Sequence, residues 1–327
     1  CGVMGTASTM ALMTEAMGMM LPGGAAIPAV MAERRRLAED TGKRAVAMAA
    51  EKLTPDKIVT PAAVKNALRV MLAAGGSTNA LVHMTAIAGR AGIKVDLEAF
   101  DRMGRETPVL VDLKPTGQGY MEDLHRAGGL TPMLRELTAQ LALDAMTVTG
   151  QTLGVNIENG AKPFKQDVIK PFATPVYKNG AMAVLRGNLA PGGAIIKQAA
   201  AMQSLLQHEG RAVVFSSLAD LAARLDSPDL DVEANDILVL QSAGPKGAPG
   251  MPEAGYIPIP KKLAAKGVKD MVRISDARMS GTAFGTIVLH VAPEAAVGGP
   301  LALVKTGDRI TLDVPKRRLA LLVGAKE

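Results

Sequence analysis

Five glycine-rich turns carry the residues of this sequence that could do chemistry: GTAST at 5–9, GGSTN at 75–79, GNLAPGG at 187–193, GPKGAPGMPE at 244–253 and SDARMSGT at 275–282. None has the spacing of a dinucleotide or P-loop fingerprint. Five such turns are nonetheless more than strand connection requires, and sites are built on loops held by a rigid scaffold. Glu253 ends the fourth turn, just before AGYIPIP. Its carboxylate oxygens suit a hard cation such as Mg²⁺, and the same position equally suits a solvated loop glutamate. Ser280 lies in the fifth turn among small residues, two positions after Arg278. No G-x-S-x-G elbow surrounds it and no histidine is near in sequence, so taken alone it is a turn hydroxyl. Cys1 is the only cysteine, and one thiolate cannot hold a cluster. The four histidines, His83, His125, His208 and His290, show no metal-ligand spacing. His83 and His290 sit in apolar runs and are expected to be satisfied core histidines.

Two kinds of chain must position these turns. Residues 5–20 read as a helix stopped by Pro22-Gly23-Gly24. AIPAVMAERRRLAEDTGKRAVAMAAEKL reads as two helices, and Thr60-Pro61 starts another, with proline in its first turn. Gly75-Gly76 breaks the pattern, and Ser77 or Thr78 caps the next helix. LEAFDRMGRETPVLVDL reads as helix, turn and strand, so the first half is expected to be α/β. After about residue 165, AMAVLRGNLAP, RAVVFSS, DILVLQSAG, GTIVLHVAP, LALVKTGDRITLDV and RLALLV read as short strands. PGGAIIKQAA and LADLAARLDS read as helical interruptions, and the proline-bearing KPFKQDVIKPFATPVYKNG reads as a linker. The expectation is an α/β domain over 1–165 followed by a β-rich, barrel-like domain over 166–327.

Composition narrows the function classes. At 327 residues, 48% apolar and 21% charged, the chain can bury a substantial core. Aromatic residues are 2% with no Trp, so stacking surfaces for single-stranded nucleic acid are scarce. The net charge of +6 is dispersed apart from AERRRLAED and VPKRRLAL, which argues against nucleic acid and is compatible with attraction of small carboxylates. The lone cysteine excludes an intrachain disulfide and fits a reducing compartment. MALMTEAMGMMLPGG has neither the form of a signal peptide nor the length to span a bilayer. A cytoplasmic protein without nucleic-acid or membrane partners is expected.

Taken jointly, the turns resemble the dihydroxy-acid and sugar-acid dehydratase family from end to end. CGVMGTASTMALMTEAMGMMLPG is similar to the segment bearing that family's third iron–sulfur cysteine. GGSTNALVHMTAIA, GNLAPGGAIIK, GPKGAPGMPEAGYIPIP and SDARMSGTAFGTIVLHVAPEAAVGGPLALV resemble its later signatures in sequence and order. The resemblance implies an α/β amino-terminal domain, only part of it present, and a β-barrel carboxy-terminal domain incomplete at its end. It implies that Cys1 ligates the cluster, that Glu253 ligates Mg²⁺, and that Ser280 is the alkoxide base. It also suggests Asn188, Arg278 and Thr282 for substrate contact. Branched-chain biosynthetic members tend to read Asp-Gly-Arg-Phe-Ser-Gly in the serine loop. This chain reads Asp276-Ala277-Arg278-Met279-Ser280-Gly281, which resembles the pentonate dehydratases acting on L-arabinonate or D-xylonate, whose cluster is 2Fe–2S.

Family members are longer than this sequence at both ends. The resemblance places two further cluster cysteines, more acidic Mg²⁺ ligands and a carbamylated lysine ahead of Cys1. The expectation is therefore an interior piece of a hydro-lyase that turns a 2,3-dihydroxy sugar acid into a 2-keto-3-deoxy acid, inactive by itself. Its expected cofactors are a 2Fe–2S or, alternatively, a 4Fe–4S cluster and Mg²⁺. Its expected partners are a small sugar acid and further copies of itself. Two alternatives stand beside this: a non-catalytic fragment or pseudoenzyme subunit, and a dihydroxy-acid dehydratase of branched-chain amino-acid biosynthesis.

Overall fold

A computed structural model describes residues 2–323. Cys1 lies outside the described residues, and with it the expected cluster ligand. The chain divides into two compact units between Ala181 and Met182.

The first unit is helical: α1 Thr6–Ala16, α2 Ala32–Glu51, α3 Pro55–Ile58, α4 Pro61–Ala73, α5 Asn79–Arg90, α6 Leu97–Glu106, α7 Met121–Arg126, α8 Leu130–Glu136 and α9 Leu153–Asn159. Helix α4 starts where Thr60-Pro61 predicts, with the Thr60 hydroxyl accepting from the Ala63 N–H at 3.2 Å. Its buried Val64, Leu68, Val70 and Met71 face the core. Helix α1 ends before the predicted Pro-Gly-Gly stop, where Gly18 takes φ +86° and a Cβ would meet the Met146 carbonyl oxygen at 2.8 Å. The stretch read as two helices is one long helix, α2, with only the four-residue α3 after it. The α/β expectation for this unit needs correction. Among the described residues, the predicted strand at PVLVDL forms only isolated bridges, Val109↔Tyr177, Val111↔Ile169 and Leu113↔Gly119. Pro108, Pro115, Pro171 and Pro175 interrupt both sides of these pairings and deny a longer ladder its N–H donors. The same bonds tie down the segment read as a linker. Lys170 N–H donates to the Leu110 carbonyl and Asp112 N–H to that of Val168, both at 2.8 Å.

The second unit contains β1 Ala183–Gly187, β2 Ala190–Ile196, β3 Gln207–Phe215, α10 Leu218–Arg224, β4 Ile237–Leu240, α11 Lys261–Ala264, β5 Arg273–Ser275, β6 Ile287–Ala292, β7 Arg309–Asp313 and β8 Arg318–Leu321. The eight strands close into a barrel in the order β1-β2-β6-β5-β4-β3-β7-β8, so no sheet edge is left open. Strands β3, β4, β5 and β6 run parallel, and the other pairings are antiparallel except the β1–β8 closure. Alternate residues such as Leu185, Ile196, Val239, Ile274, Val288 and Leu312 fill the interior. Outward-facing Val213, Phe215, Leu238 and Leu240 pack beneath Leu221 and Leu263.

Two readings of this half are corrected. PGGAIIKQAA is strand β2 followed by a 3-10 turn at Gln198–Ala200, not a helix. Ala194 and Ile196 alternate into the barrel, and a Cβ at Gly192 would meet the Ala292 carbonyl oxygen at 2.8 Å. Only the latter part of LALVKTGDRITLDV is strand; Pro300–Leu303 is a 3-10 turn.

Candidate active site

The topology brings the fourth and fifth turns together. Strands β4 and β5 are parallel neighbours, with Leu240 paired to Ser275, so the loops that follow them leave the same rim of the barrel. In parallel sheets this carboxyl end is where ligand-binding loops gather. Loop 241–256 carries Glu253 and loop 276–286 carries Ser280. They join through an Ala254↔Met279 bridge and a 2.8 Å bond from Gly255 N–H to the Arg278 carbonyl. The Arg278 Nε donates to the Met251 carbonyl at 2.7 Å, and its Nη1 lies 4.0 Å from Glu253 Oε1. Ser280 Oγ is 2.9 Å from Thr282 Oγ1 and accepts from the Thr282 N–H at 3.4 Å. Thus Glu253, Arg278, Ser280 and Thr282 form one group. Met279 is buried against Ile287 and Leu289 and seats the serine loop on the barrel wall.

Asn188 is placed differently. It sits in the β1–β2 turn, with both ends of its amide bonded to the Leu321 backbone at 2.8 and 2.9 Å. There it lines a cavity with Pro300, Leu303, Lys305 and Asp308, apart from the two loops.

In the first unit the first and second turns also meet. Thr6 Oγ1 and Ser77 Oγ are 3.0 Å apart, Ser77 N–H donates to Thr9 Oγ1 at 3.0 Å, and Asn79 Nδ2 donates to Thr6 Oγ1 at 3.1 Å. A Cβ at Gly76 would strike the Thr9 methyl at 2.6 Å, so the close approach requires glycine there.

One buried amine has no signal in the sequence, and one histidine departs from its expected role. Lys197, just beyond β2, is 2% exposed and its ammonium has no hydrogen-bond partner among the described residues; burial lowers its pKa to about 7. His290 was expected to be a satisfied core histidine. It is instead one of two residues, with Val291, that stand opposite Ala194 in a β-bulge, where Leu289 pairs with Ile195 but Ala292 pairs with Gly193. Its φ is +54° and neither ring nitrogen has a partner among the described residues. Burial and then the Arg278 charge lower its pKa to about 4, so the ring is neutral. His83, read the same way, is exposed on α5. The only sequence signal for the bulge was the paired glycine of APGGAII opposite HVAP, which was not sufficient to locate it.

Glu253 is exposed on its loop and offers the hard oxygen donors that Mg²⁺ takes. Among the described residues no group of three or more His, Cys, Asp or Glu stands close enough to hold a metal. At this place the described residues thus offer the carboxylate of Glu253 and no cluster of ligands around it. No helix is long and apolar enough to cross a membrane among the described residues.

Residues 1–156 match the family model for the dihydroxy-acid/6-phosphogluconate dehydratase N-terminal region, and residues 167–327 match that for the C-terminal region. The chain is 50% identical to an L-arabinonate dehydratase of Rhizobium leguminosarum bv. trifolii (strain WSM2304), over 96% of this chain and 54% of that protein. It is 52% identical to an L-arabonate dehydratase of Azospirillum brasilense, over 93% of this chain and 52% of that protein. It is 41% identical to a dihydroxy-acid dehydratase of Methanococcoides burtonii, over 100% of this chain and 59% of that protein. The chain thus spans little more than half the length of these curated relatives. Matched by both models over nearly all its length, it belongs to the dihydroxy-acid/6-phosphogluconate dehydratase family.

Proposed function

We propose that this chain is the serine-loop and barrel part of a hydro-lyase that dehydrates a sugar acid to a 2-keto-3-deoxy acid. The observation that carries the reading is the joining of the Glu253 and Ser280 loops on one barrel rim, with Arg278 between them. The higher identity to the two sugar-acid dehydratases than to the dihydroxy-acid dehydratase supports the substrate class. Mg²⁺ with Glu253 among its ligands, and a 2Fe–2S cluster with Cys1 among its ligands, belong to the proposal, as do a cytoplasmic setting and self-association. When bound, Mg²⁺ supplies positive charge that makes the proton beside the substrate carboxylate more acidic.

In this reading Ser280 Oγ takes the proton from C2. The C2–H electron pair becomes the C2–C3 π bond as the C3–O bond breaks. Hydroxide leaves and takes up a proton to become water. The resulting enol loses its hydroxyl proton and gains one at C3, giving the 2-keto-3-deoxy acid. An ordinary serine is too weak a base for this, so its oxyanion must be favoured by its surroundings. The Thr282 hydroxyl, 2.9 Å from Ser280 Oγ, and the Thr282 N–H, which donates to it at 3.4 Å, can both donate to that anion and so stabilise it. Arg278, braced on the Met251 carbonyl, presents a fixed cation to a substrate carboxylate. Substrate contact falls to Arg278 and Thr282, because the Asn188 amide is already committed to Leu321.

The test is a graft of this sequence into the matching segment of the Rhizobium leguminosarum enzyme. The graft is expected to form a 2-keto-3-deoxy acid from L-arabinonate, and the isolated chain to form none even with iron, sulfide and Mg²⁺ supplied. A folded graft that keeps its cluster absorbance yet has no activity on any pentonate would refute the reading.

A further inference from the structure

Glu294 lies just beyond the end of β6, on the rim that carries the two loops. Its carboxylate accepts from the Lys246 N–H at 3.0 and 2.9 Å and from the Gly247 N–H at 3.1 Å. Successive backbone N–H groups converging on one anion form a nest, and here a side chain of the same unit fills it. The glycines of GPKG make the fit possible. A Cβ at Gly244 would meet Glu294 Oε2 at 2.6 Å, and one at Gly247 would meet the Ser242 backbone at 2.5 Å. Asp276 reinforces the grip by accepting from the Ala243 and Ala295 N–H groups at 3.0 and 2.9 Å. Loop 241–256 contains no helix or strand, and Ser242, Gly250 and Met251 all take positive φ. It is held at its far end by Arg278 and Met279 and at its near end by Glu294 and Asp276.

We propose that Glu294 is a positioning residue for Glu253: by gripping Lys246 and Gly247 it fixes loop 241–256 so that the Glu253 carboxylate stands beside Arg278 and the serine loop. The functional importance of that placement rests on the Mg²⁺ role proposed for Glu253, whereas the placement itself can be tested without it. Hydrogen exchange in the purified chain is measured for wild type, Glu294→Ala and Glu294→Gln, with circular dichroism to confirm folding. In Glu294→Ala the Lys246 and Gly247 amides are expected to exchange about tenfold faster or more, since each loses a bond to a charged acceptor. The distant Gly255 amide, bonded to the Arg278 carbonyl, is expected to lose protection with them. Glu294→Gln keeps one acceptor oxygen and is expected to lie between; it is the deciding variant if the alanine form does not fold. Unchanged exchange at Lys246 and Gly247 would overturn the grip. Faster exchange there with Gly255 still protected would overturn the positioning of Glu253. In the active graft, Glu294→Ala is expected to raise the Mg²⁺ concentration for half-maximal activity about tenfold, in step with the exchange change. If the wild-type graft is inactive while the exchange results hold, the functional reading fails and the grip stands.

Discussion

Replacing Lys197 with Met tests what it costs this fold to bury an unpaired ammonium. Lys197 is 2% exposed and has no hydrogen-bond partner among the described residues. Burial takes its pKa from 10.5 to about 7. The charged form is therefore disfavoured in the folded chain relative to the unfolded one. Above pH 10.5 both states are neutral and the penalty vanishes. As pH falls toward 7 the unfolded chain takes up the proton first and folding loses stability; below 7 the whole penalty is present. The drop corresponds to about 5 kcal/mol, comparable to the net stability of a small domain. Met keeps the length of the side chain and removes the charge, so Lys197→Met is expected to stabilise the barrel unit by up to about 5 kcal/mol at about pH 6 and by about 1 kcal/mol at about pH 9.5. The chain has no Trp, so far-UV circular dichroism in urea is the suitable probe. With a slope of about 2 kcal/mol per molar urea, the midpoint should rise by up to about 2.5 M at about pH 6. A shift of equal size at both pH values, or a loss of stability at the lower one, would refute the reasoning and show that the ammonium is compensated.

The other expected outcomes concern the rim and its supports. In the graft, Ser280→Ala should lower kcat by about a hundredfold or more while leaving cluster absorbance and substrate KM near wild type; turnover close to wild type would remove Ser280 from the reaction. Glu253→Gln keeps the shape and loses the charge, so it should raise the Mg²⁺ requirement about tenfold without moving the thermal midpoint; an unchanged Mg²⁺ titration would count against the ligand role. Asp270 pairs with buried Arg273 at 2.5 Å and accepts from the Thr286 N–H and hydroxyl. Asp270→Ala should therefore cost about 3–5 kcal/mol in urea unfolding, because it leaves the buried guanidinium without its counter-charge; a loss below about 1 kcal/mol would show that the Met271 and Tyr256 carbonyls it already bonds suffice.

The parts of this protein legible in the sequence were those encoded locally. Thr60-Pro61 announces α4 because a capping hydroxyl and a proline in the first turn act over a few consecutive residues. RAVVFSS and DILVLQSAG announce β3 and β4 because β-branched runs bounded by polar turns suit a buried strand. The motifs around Glu253 and Ser280 are weak one by one and carry a resemblance only when read jointly with the other turns. What no local pattern contained was their meeting, which comes from β4 and β5 being parallel neighbours in a closed barrel. The same holds for PGGAIIKQAA, which reads as helical until β6 is laid against it. It holds for His290, turned by a bulge that exists only in a two-strand register, and for Glu294, whose partners Lys246 and Gly247 lie far away in sequence. Side-chain chemistry and short-range backbone preference are properties of a few consecutive residues. Which loops share a rim, and which carboxylate fills which nest, depend on strand order and register, and only the folded barrel sets those.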